Sequence, residues 1–304
     1  MYDIVIIGGG PAGLTAGIYA RRSNKKVLIL EAKTYGGQIV NVPNIENYPV
    51  EPNISGFDLA TKLYNQTKDL GAEIVFEKAI KIENHNDYKE VVTTKNTYKT
   101  KTIIIATGAE NRKLGIDREE ELLGRGVSYC ATCDGPFFKG KDIAIVGSSE
   151  ETIKEALYLS EIVNKVYLIY KKDKLDEKLN DNIEVLYNSS VKSLNGDKKL
   201  ESITLNNGET INVSALFVAV GRTPENENFR NIVNMDKIGY IIATEDCHTN
   251  VDGIYVAGDN RTKRLRQLVT ATSDGAIAAT EAVKYVNNNK WEFIFSFYYG
   301  KIFV

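Results

Sequence analysis

A glycine-rich turn near the start of the chain constrains the fold more than any other feature. An apolar run at residues 4–7 leads directly into Gly8-Gly9-Gly10-Pro11-Ala12-Gly13, and an Ala-rich stretch follows. A continuous apolar run is typical of a parallel strand buried on both faces. Glycines at positions 8, 10 and 13 let the backbone turn tightly and approach a pyrophosphate at a helix N-terminus. The pattern predicts a Rossmann-like unit that binds a dinucleotide.

A second strand supports this interpretation. Residues 26–30 are apolar apart from the first and end at Glu31. This acid lies about 20 residues beyond the glycines, where a carboxylate can accept a hydrogen bond from a ribose hydroxyl. The alternative is a glycine-rich turn that binds no ligand.

The same order of elements returns later in the chain. A strand at 143–146, the turn Gly147-Ser148-Ser149-Glu150-Glu151-Thr152, a helix and a strand at 165–170 repeat the first unit, but with one glycine. A further buried strand, 253–257, then runs into Gly258-Asp259 and an Ala-rich helix at 267–286. We therefore predict an α/β fold of the three-layer ββα type with two Rossmann-like nucleotide-binding domains. Residues 1–115 and 247–304 form the outer domain, and residues 116–246 form the inserted one.

Two cysteines in the inserted domain form the second constraint. The stretch Cys130-Ala131-Thr132-Cys133-Asp134 holds a dithiol that can close into a disulfide and reopen. Half of a zinc site and a pair of inert buried thiols are the alternatives. The chain has only three Cys and two His, and Cys247-His248 has poor chelate spacing, so we predict no metal site. Cys247 is expected to be a structural thiol.

Composition limits the partners and the compartment. The chain has 304 residues, is 43% hydrophobic and carries a net charge of −2. This near balance offers no electrostatic attraction for nucleic acid or a membrane surface. Few cysteines, two of them in a reactive spacing, favour the reducing cytoplasm. The apolar tail is about half the length of a membrane helix, and its aromatic residues at 291, 293, 295, 297 and 299 have the spacing of a strand after an Asn breaker at 287–289.

The order of these motifs resembles the low-molecular-weight thioredoxin reductases over nearly the whole chain. The resemblance is carried by the glycine turn, the Gly36-Gly37-Gln38 loop, the Ala106-Thr107-Gly108 strand end, the Cys-Ala-Thr-Cys-Asp dithiol and the late Ala257-Gly258-Asp259 motif with its Leu265-Arg266-Gln267 sequel. It implies a homodimer and FAD bound in the outer domain. The cofactor-binding residues that it implies are Gly8, Gly10, Pro11, Ala12, Gly13, Glu31, Gly37, Gln38, Ala106, Thr107, Gly108, Gly258, Asp259, Arg266 and Gln267.

The resemblance also implies catalytic roles. Electrons would pass from FAD to the Cys130/Cys133 disulfide and then to the disulfide of thioredoxin or a thioredoxin-like protein. Cys133 would face the flavin, and Cys130 would attack the partner. Asp134 would handle the proton, because a leaving thiolate needs a proton donor; a helix cap is the alternative role for this acid.

The inserted domain departs from the family pattern. The family has Gly-x-Gly-x-x-Ala where this chain has Ser149 and the acids Glu150 and Glu151, which would repel a phosphate. His-Arg-Arg and a further Arg are replaced by Tyr170-Lys171-Lys172 and Asp176, and Lys lacks the bidentate fork of Arg. NADPH binding is therefore doubtful, and the chain resembles members that take electrons from ferredoxin.

Several alternatives stay open at this point. One is an NADPH-dependent enzyme with a divergent site, and another is a flavoprotein redox sensor that does not turn over. A different nucleotide or a second flavin in the altered pocket is a third. Two basic clusters are candidates for binding an acidic donor protein: Lys171, Lys172 and Lys174, or Arg261, Lys263, Arg264 and Arg266.

Overall fold

The chain divides into two compact units, one inserted in the other. A computed structural model describes residues 1–299, and side-chain surroundings for residues 1–288. The first unit contains Met1–Glu110 and the chain from Thr223 onward, and the second contains Asn111–Arg222. The insertion therefore runs from 111 to 222, where 116 to 246 was expected. The return to the first unit comes earlier because Phe229, Val233 and Ile241 are buried in the core of that unit.

The first unit is built on a mostly parallel sheet. Its strands are β1 (Tyr2–Ile7), β2 (Val27–Glu31), β3 (Glu73–Phe76), β4 (Ala79–Asn84), β5 (Lys89–Thr93), β6 (Thr97–Ile105) and β17 (Ile254–Val256). β3, β2, β1, β6 and β17 are parallel neighbours, and β4 and β5 extend the start of β6 as an antiparallel meander. β1 is apolar because the sheet is covered on both faces.

Helices cover one face of this sheet. They are α1 (Pro11–Arg22), α2 (Gly56–Asp69) and α5 (Leu268–Tyr299), with a short 3-10 turn at Gly37–Asn41. A cluster of small apolar side chains of α1 and α5 packs between helices and sheet. A Cβ at Gly275 would lie 2.2 Å from the Ala12 carbonyl oxygen, so glycine permits the close approach of α5 to α1. The opposite face packs on the meander and on residues 229–241, which gives three layers.

The second unit repeats this arrangement. Its parallel sheet has the order β11, β10, β9, β15, β8, with β8 (Val127–Ser128), β9 (Asp142–Val146), β10 (Lys165–Tyr170), β11 (Ile183–Tyr187) and β15 (Ala215–Val218). Helices α3 (Ala131–Asp134) and α4 (Glu150–Ser160) lie on one face. The other face packs on the antiparallel sheet of β12 (Val191–Asn195), β13 (Ser202–Leu205) and β14 (Thr210–Asn212). The connecting strands β7 (Ala109–Asn111) and β16 (Arg222–Pro224) pair with each other. Further 3-10 turns span Gly135–Phe138 and Glu227–Phe229.

The strand predicted for the aromatic tail is wrong. Helix α5 continues past the expected end at 286 and through the Asn run to Tyr299. No glycine or proline lies between Gly275 and Gly300, and each residue added to an existing helix gains a hydrogen bond without a new nucleation step. Residues 300–304 and the tail side chains lie outside the described part of the chain. Among the helices that are described, none is long and apolar enough to cross a membrane.

Candidate active site

The two cysteines of the dithiol are joined in a disulfide at the start of α3, with their Cα atoms 5.3 Å apart. Cys130 caps the helix: its sulfur accepts a hydrogen bond from the backbone N–H of Cys133 at 3.2 Å. The hydroxyl of Thr132 lies 3.5 Å from the same sulfur. Donors aimed at a sulfur stabilise its thiolate. Once the disulfide opens, Cys130 is therefore suited to be the nucleophile.

Asp134 ends the same short helix. Burial raises the pKa of its carboxyl above the usual value, and a hydrogen bond from the Ser128 hydroxyl, at 2.6 Å, opposes that rise. The Ser128 oxygen also accepts the backbone N–H of Cys130 at 3.0 Å. A carboxyl that holds its proton to higher pH is suited to general acid chemistry. No sequence pattern pointed to Ser128.

Tyr129 makes a hydrogen bond to a buried carboxylate that the sequence did not reveal. Its hydroxyl donates to the Glu119 carboxylate at 2.5 Å. Glu119 is 3% exposed and also accepts the backbone N–H groups of Leu114 and Gly115, each at 2.9 Å. Burial and the neighbouring Glu119 raise the pKa of the Tyr129 hydroxyl, so the hydroxyl remains a donor. This contact holds the backbone just before Cys130.

The third thiol is inert. Cys247 is fully buried in the helix-side core of the first unit, and its sulfur lies 3.7 Å from the Asp274 carbonyl oxygen. Burial, with the Asp274 charge, raises the pKa of this thiol to about 12. Such a thiol is protonated and unreactive at neutral pH.

The first glycine turn is shaped as the sequence predicts. Gly8 has a φ of +113°, and a Cβ there would lie 2.2 Å from the Ala106 carbonyl oxygen. A Cβ at Gly13 would lie 1.9 Å from the Gly8 oxygen. Helix α1 then starts at Pro11 with Gly10 as its N-cap, no side-chain cap and no acid in its first turn. Its first N–H groups are therefore open to an anion.

The Gly36-Gly37 loop lies against this turn. The backbone N–H of Gly36 donates to the Gly9 oxygen at 2.8 Å, and the Gly9 N–H donates to Glu31 Oε2 at 2.7 Å. A Cβ on Gly10 would meet only the Gly37 Cα, at 4.0 Å. The two loops thus leave a space that one methyl group would begin to fill. Gln38 follows on an exposed 3-10 turn.

The remaining predicted cofactor residues lie at the carboxyl ends of neighbouring strands. Ala106, Thr107 and Gly108 follow β6, and Gly258 and Asp259 follow β17, which pairs with β6. Arg266 donates to the Asp259 carbonyl oxygen at 3.3 Å. Gln267 accepts a hydrogen bond from the Asn47 amide at 3.1 Å. All of these residues belong to the first unit.

A polar network that the sequence did not reveal joins these strand ends. Asn260, fully buried, donates to the Thr107 hydroxyl oxygen at 3.0 Å and to the Asn226 amide oxygen at 3.3 Å. Asn226 in turn donates to the Asn260 carbonyl oxygen at 2.7 Å. The network keeps the Thr107 and Asp259 turns side by side.

The side chains of two residues of one predicted basic cluster, Arg261 and Lys263, are buried. Arg261 is 3% exposed, the Lys263 side chain is 6% exposed, and both pair with the buried carboxylate of Asp274 at 2.8 Å. The guanidinium of Arg266 packs 4.2 Å from the Tyr240 ring centroid. Arg261 and Lys263 are therefore not available to a docking patch, whereas Arg264 is exposed. Lys171, Lys172 and Lys174 are exposed, so that cluster stays a prediction.

The first unit fits FAD. Its turn has open N–H groups, lacks an acid, leaves space between Gly10 and Gly37, and has a carboxylate at Glu31 close to Gly9. These are the features that accept a pyrophosphate and a ribose.

The matching turn of the second unit is capped by its own side chains. Gly147 keeps the sharp turn, since a Cβ there would lie 2.3 Å from the Ala219 oxygen. Ser149 caps α4: its hydroxyl oxygen accepts the Thr152 N–H at 3.2 Å, and Thr152 Oγ1 accepts the Ser149 N–H at 3.3 Å. Ser148 Oγ accepts the Lys171 N–H at 2.9 Å. The backbone N–H groups of Ser149 and Thr152 are thus already occupied.

Charge and space also distinguish this second turn from the first. Glu150 and Glu151 are exposed in the first turn of α4, where negative charge suits the helix dipole but repels a phosphate. The adjoining cavity measures about 300 Å³ and is lined by Gly147, Ser148, Ser149, Lys171, Ala219 and Val220. That volume is at the lower end for ligand pockets.

Comparison with known proteins gives a consistent result. Residues 2–275 match the family model of the pyridine nucleotide-disulphide oxidoreductases. A thioredoxin reductase of Listeria innocua is 41% identical over 304 aligned residues, covering 95% of each chain.

Solved structures share the fold as well. The thioredoxin reductase of Streptococcus pyogenes superposes with a TM-score of 0.91 at 38% identity, covering 95% of this chain and 99% of that one. A ferredoxin-flavin thioredoxin reductase of Clostridium acetobutylicum has a TM-score of 0.55 at 35% identity, with 95% and 99% of the two chains covered.

Proposed function

Because this chain belongs to the pyridine nucleotide-disulphide oxidoreductase family and, within it, to the thioredoxin reductases, we propose that it reduces the disulfide of thioredoxin or a thioredoxin-like protein. It is a flavin-dependent disulfide reductase with a Cys-x-x-Cys redox pair. The observation that carries the proposal is the disulfide at the start of α3 with the half-buried Asp134 carboxyl one residue beyond it. We assign the activity to the reducing cytoplasm, where such a pair can turn over.

FAD occupies the first unit in this proposal. The turn from Gly8 to Gly13, with Pro11 and Ala12 opening α1, would hold its pyrophosphate, and Glu31 its ribose. The other contacts would come from Gly37, Gln38, Ala106, Thr107, Gly108, Gly258, Asp259, Arg266 and Gln267. A flavin bound there would supply two electrons, with which the Cys130–Cys133 disulfide would open to two thiols with uptake of two protons.

The exchange itself is carried out by the chain's own groups. Cys130, as thiolate, attacks a sulfur of the partner disulfide; the partner S–S bond breaks and a mixed disulfide forms. Asp134 gives its proton to the leaving partner thiolate. The Asp134 carboxylate then takes the proton of Cys133, whose thiolate attacks the Cys130 sulfur. The second partner thiolate leaves and is protonated by water, so the partner has gained the two electrons that the dithiol lost.

We further propose that the electrons come from a donor other than NADPH, with ferredoxin as the candidate. The reciprocal cap of Ser149 and Thr152 supports this, because it occupies backbone N–H groups at the place where a pyrophosphate would bind. The acids Glu150 and Glu151 support it as well, because their charges would repel the pyrophosphate. The likeness to a protein named a ferredoxin-flavin thioredoxin reductase also supports it. Two one-electron deliveries balance one disulfide. The exposed Lys171, Lys172 and Lys174 are available to attract an acidic donor protein.

Anaerobic reduction tests the donor. The purified holoprotein is mixed with NADPH, with NADH or with reduced ferredoxin, and bleaching of the yellow flavin is followed by stopped flow. We expect rapid bleaching with ferredoxin alone. Rapid bleaching with NADPH would instead establish a divergent but working nucleotide site.

Trapping tests the output. Replacing Cys133 by Ser leaves Cys130 able to form a mixed disulfide that cannot resolve, so a thioredoxin-like protein should accumulate as an adduct. Cys130→Ser is the matched control and should trap none. Absence of turnover with every donor, together with adducts to unrelated proteins, would favour a redox sensor.

A homodimer completes the proposal. Two segments are joined by a β-bridge between Ile241 and Arg261 and by the Arg266 guanidinium on the Tyr240 ring. Their exposed large apolar side chains are Ile238 (61%), Ile242 (49%), Leu265 (50%) and Val269 (41%). Contiguous exposed apolar surface favours association. Leu265→Asp should convert a dimer to monomer in light-scattering measurements, whereas Ile80→Asp, at a separate exposed site, should not.

A further inference from the structure

Ser128 connects the acid of the site to the backbone of the attacking cysteine. It is the last residue of β8 and is 3% exposed. Its hydroxyl donates to Asp134 Oδ2 at 2.6 Å, and its oxygen accepts the Cys130 N–H at 3.0 Å. The Cys130 carbonyl oxygen, at 3.4 Å, is a more distant acceptor. One buried hydroxyl therefore contacts both the proposed proton donor, Asp134, and the backbone of the proposed nucleophile, Cys130.

We propose that Ser128 is a positioning residue for disulfide exchange: it fixes the Asp134 carboxyl at the dithiol and limits how tightly that carboxyl holds its proton. The inference rests on the proposed function, in which Asp134 is the proton donor. A hydroxyl that donates at 2.6 Å stabilises the carboxylate more than the protonated acid. Ser128 thereby allows the acid to release its proton when the partner thiolate leaves.

Ser128 is the side chain that lowers the pKa of the Asp134 carboxyl. Burial raises the pKa of Asp134 and the Ser128 hydroxyl lowers it; these are the two influences on the shift. The neighbouring elements also carry ionisable side chains, and none of them shifts the pKa of the Asp134 carboxyl. They are Glu150, Glu151, Lys154, Glu155, Tyr158 and Lys139. The two sulfurs are paired in the disulfide.

The direction of the effect follows. Without the hydroxyl, the carboxylate loses a hydrogen bond to its charged form, so its pKa rises further. The acid then stays protonated to higher pH, and the alkaline limb of any step that needs the protonated acid moves upward. A hydrogen bond to a charged group is worth about 1.5–3 kcal/mol, so we expect a shift of at least about 1 pH unit.

Two disulfides with different leaving groups separate proton donation from fold. The holoprotein is reduced, and the pH dependence of a single turnover is measured with 2-hydroxyethyl disulfide and with 5,5′-dithiobis(2-nitrobenzoate). The aliphatic thiolate needs a proton to leave, whereas the aromatic thiolate leaves without one. Ser128→Ala should move the alkaline limb upward with the first disulfide and leave the profile of the second unchanged. Ser128→Thr, which retains a hydroxyl, should behave as the parent.

The controls test the role of Ser128 separately from the role of Asp134 as proton donor. Ser189→Ala removes a buried hydroxyl of the same unit that donates only to the Tyr187 carbonyl, and it should leave both profiles unchanged. If Asp134→Asn slows both disulfides equally, Asp134 is not the proton donor and the proposed mechanism is wrong. If Asp134→Asn slows only the aliphatic disulfide, the mechanism stands. The role of Ser128 is then wrong if Ser128→Ala leaves the alkaline limb in place or if Ser128→Thr does not keep the parent pH profile.

Discussion

Ser149 and Thr152 close a reciprocal cap at the start of α4, with their hydroxyl oxygens 2.9 Å apart. Gly10 and Gly13 hold the equivalent places at the start of α1, and there no side chain caps the helix. Both turns begin with a glycine packed against a carbonyl oxygen, Gly8 on Ala106 and Gly147 on Ala219. One chain therefore contains the same glycine turn once without and once with a side-chain cap.

Opening the second turn should restore nucleotide binding. In the variant Ser149→Gly with Glu150→Gln and Glu151→Gln, the cap oxygen and both charges are removed. We expect at least about a tenfold gain in NADPH affinity by calorimetry, since a single unfavourable contact of about 1.4 kcal/mol corresponds to a factor of ten. Glu177→Gln with Glu184→Gln changes the same charge elsewhere in the unit and should gain nothing. An unchanged affinity in the opened variant would show that other residues exclude the nucleotide.

Gly10→Ala should remove the flavin without harming the fold. Gly10 has an ordinary φ of −77°, and its Cβ would meet only the Gly37 Cα at 4.0 Å, so the apoprotein should lose less than about 1 kcal/mol. The same methyl group occupies space that a pyrophosphate needs, so the flavin-to-protein absorbance ratio should fall sharply. Gly13→Ala, whose Cβ would lie 1.9 Å from the Gly8 oxygen, should instead destabilise the apoprotein as well. Full flavin content in Gly10→Ala would argue against this cradle.

Asp134→Asn should lower the activity and raise the stability of the protein. Burial raises the pKa of Asp134 in the folded chain, so the folded state disfavours the carboxylate. The stabilising contribution of the protonated acid is present below the unfolded-state pKa and is lost as the pH rises through the folded-state pKa. The neutral amide avoids that loss, so the stability gain of Asp134→Asn over the parent in urea unfolding should grow from pH 4 to pH 8. Reduction of a thioredoxin-type disulfide should fall by about 100-fold.

The matched control for that prediction is Asp173→Asn at an exposed position, which should alter neither the stability profile nor the rate. A gain in stability that is the same at every pH would mean that packing, and not the charge of Asp134, is responsible.

Val50→Gly should stabilise the protein. Val50 is 95% exposed and has a φ of +76°, a region that a β-branched residue adopts only with strain. Relief of about 1–3 kcal/mol of strain exceeds the extra chain entropy of glycine, about 0.5–1 kcal/mol, so a net gain of about 1 kcal/mol is expected in thermal unfolding. Val42→Gly, where φ is −85°, should destabilise instead. A loss of stability in Val50→Gly would mean that the loop gains from the Val side chain.

Local patterns carried most of what could be predicted. The glycine turns, the strands around them and the Cys-x-x-Cys-Asp stretch depend on residues that are close along the chain, so their spacing reveals them. The closed cap of the second turn was only half visible: Ser149 stood out as a departure, but its partner Thr152 did not. The boundary at 222 could not be read either, because it depends on where Phe229 and Ile241 are buried.

The sequence by itself determined the two strand–turn–helix units, their insertion order and the position of the dithiol, because backbone geometry at glycines and the two-residue spacing of cysteines are local constraints. Only the tertiary structure decided which polar groups meet in the interior. Burial of Asp134 beside Ser128, of Arg261 and Lys263 on Asp274, and of Asn260 between two strand ends depends on which surfaces the topology covers. A polar group taken from water must find a partner there, and the choice of partner is made by packing across the whole unit.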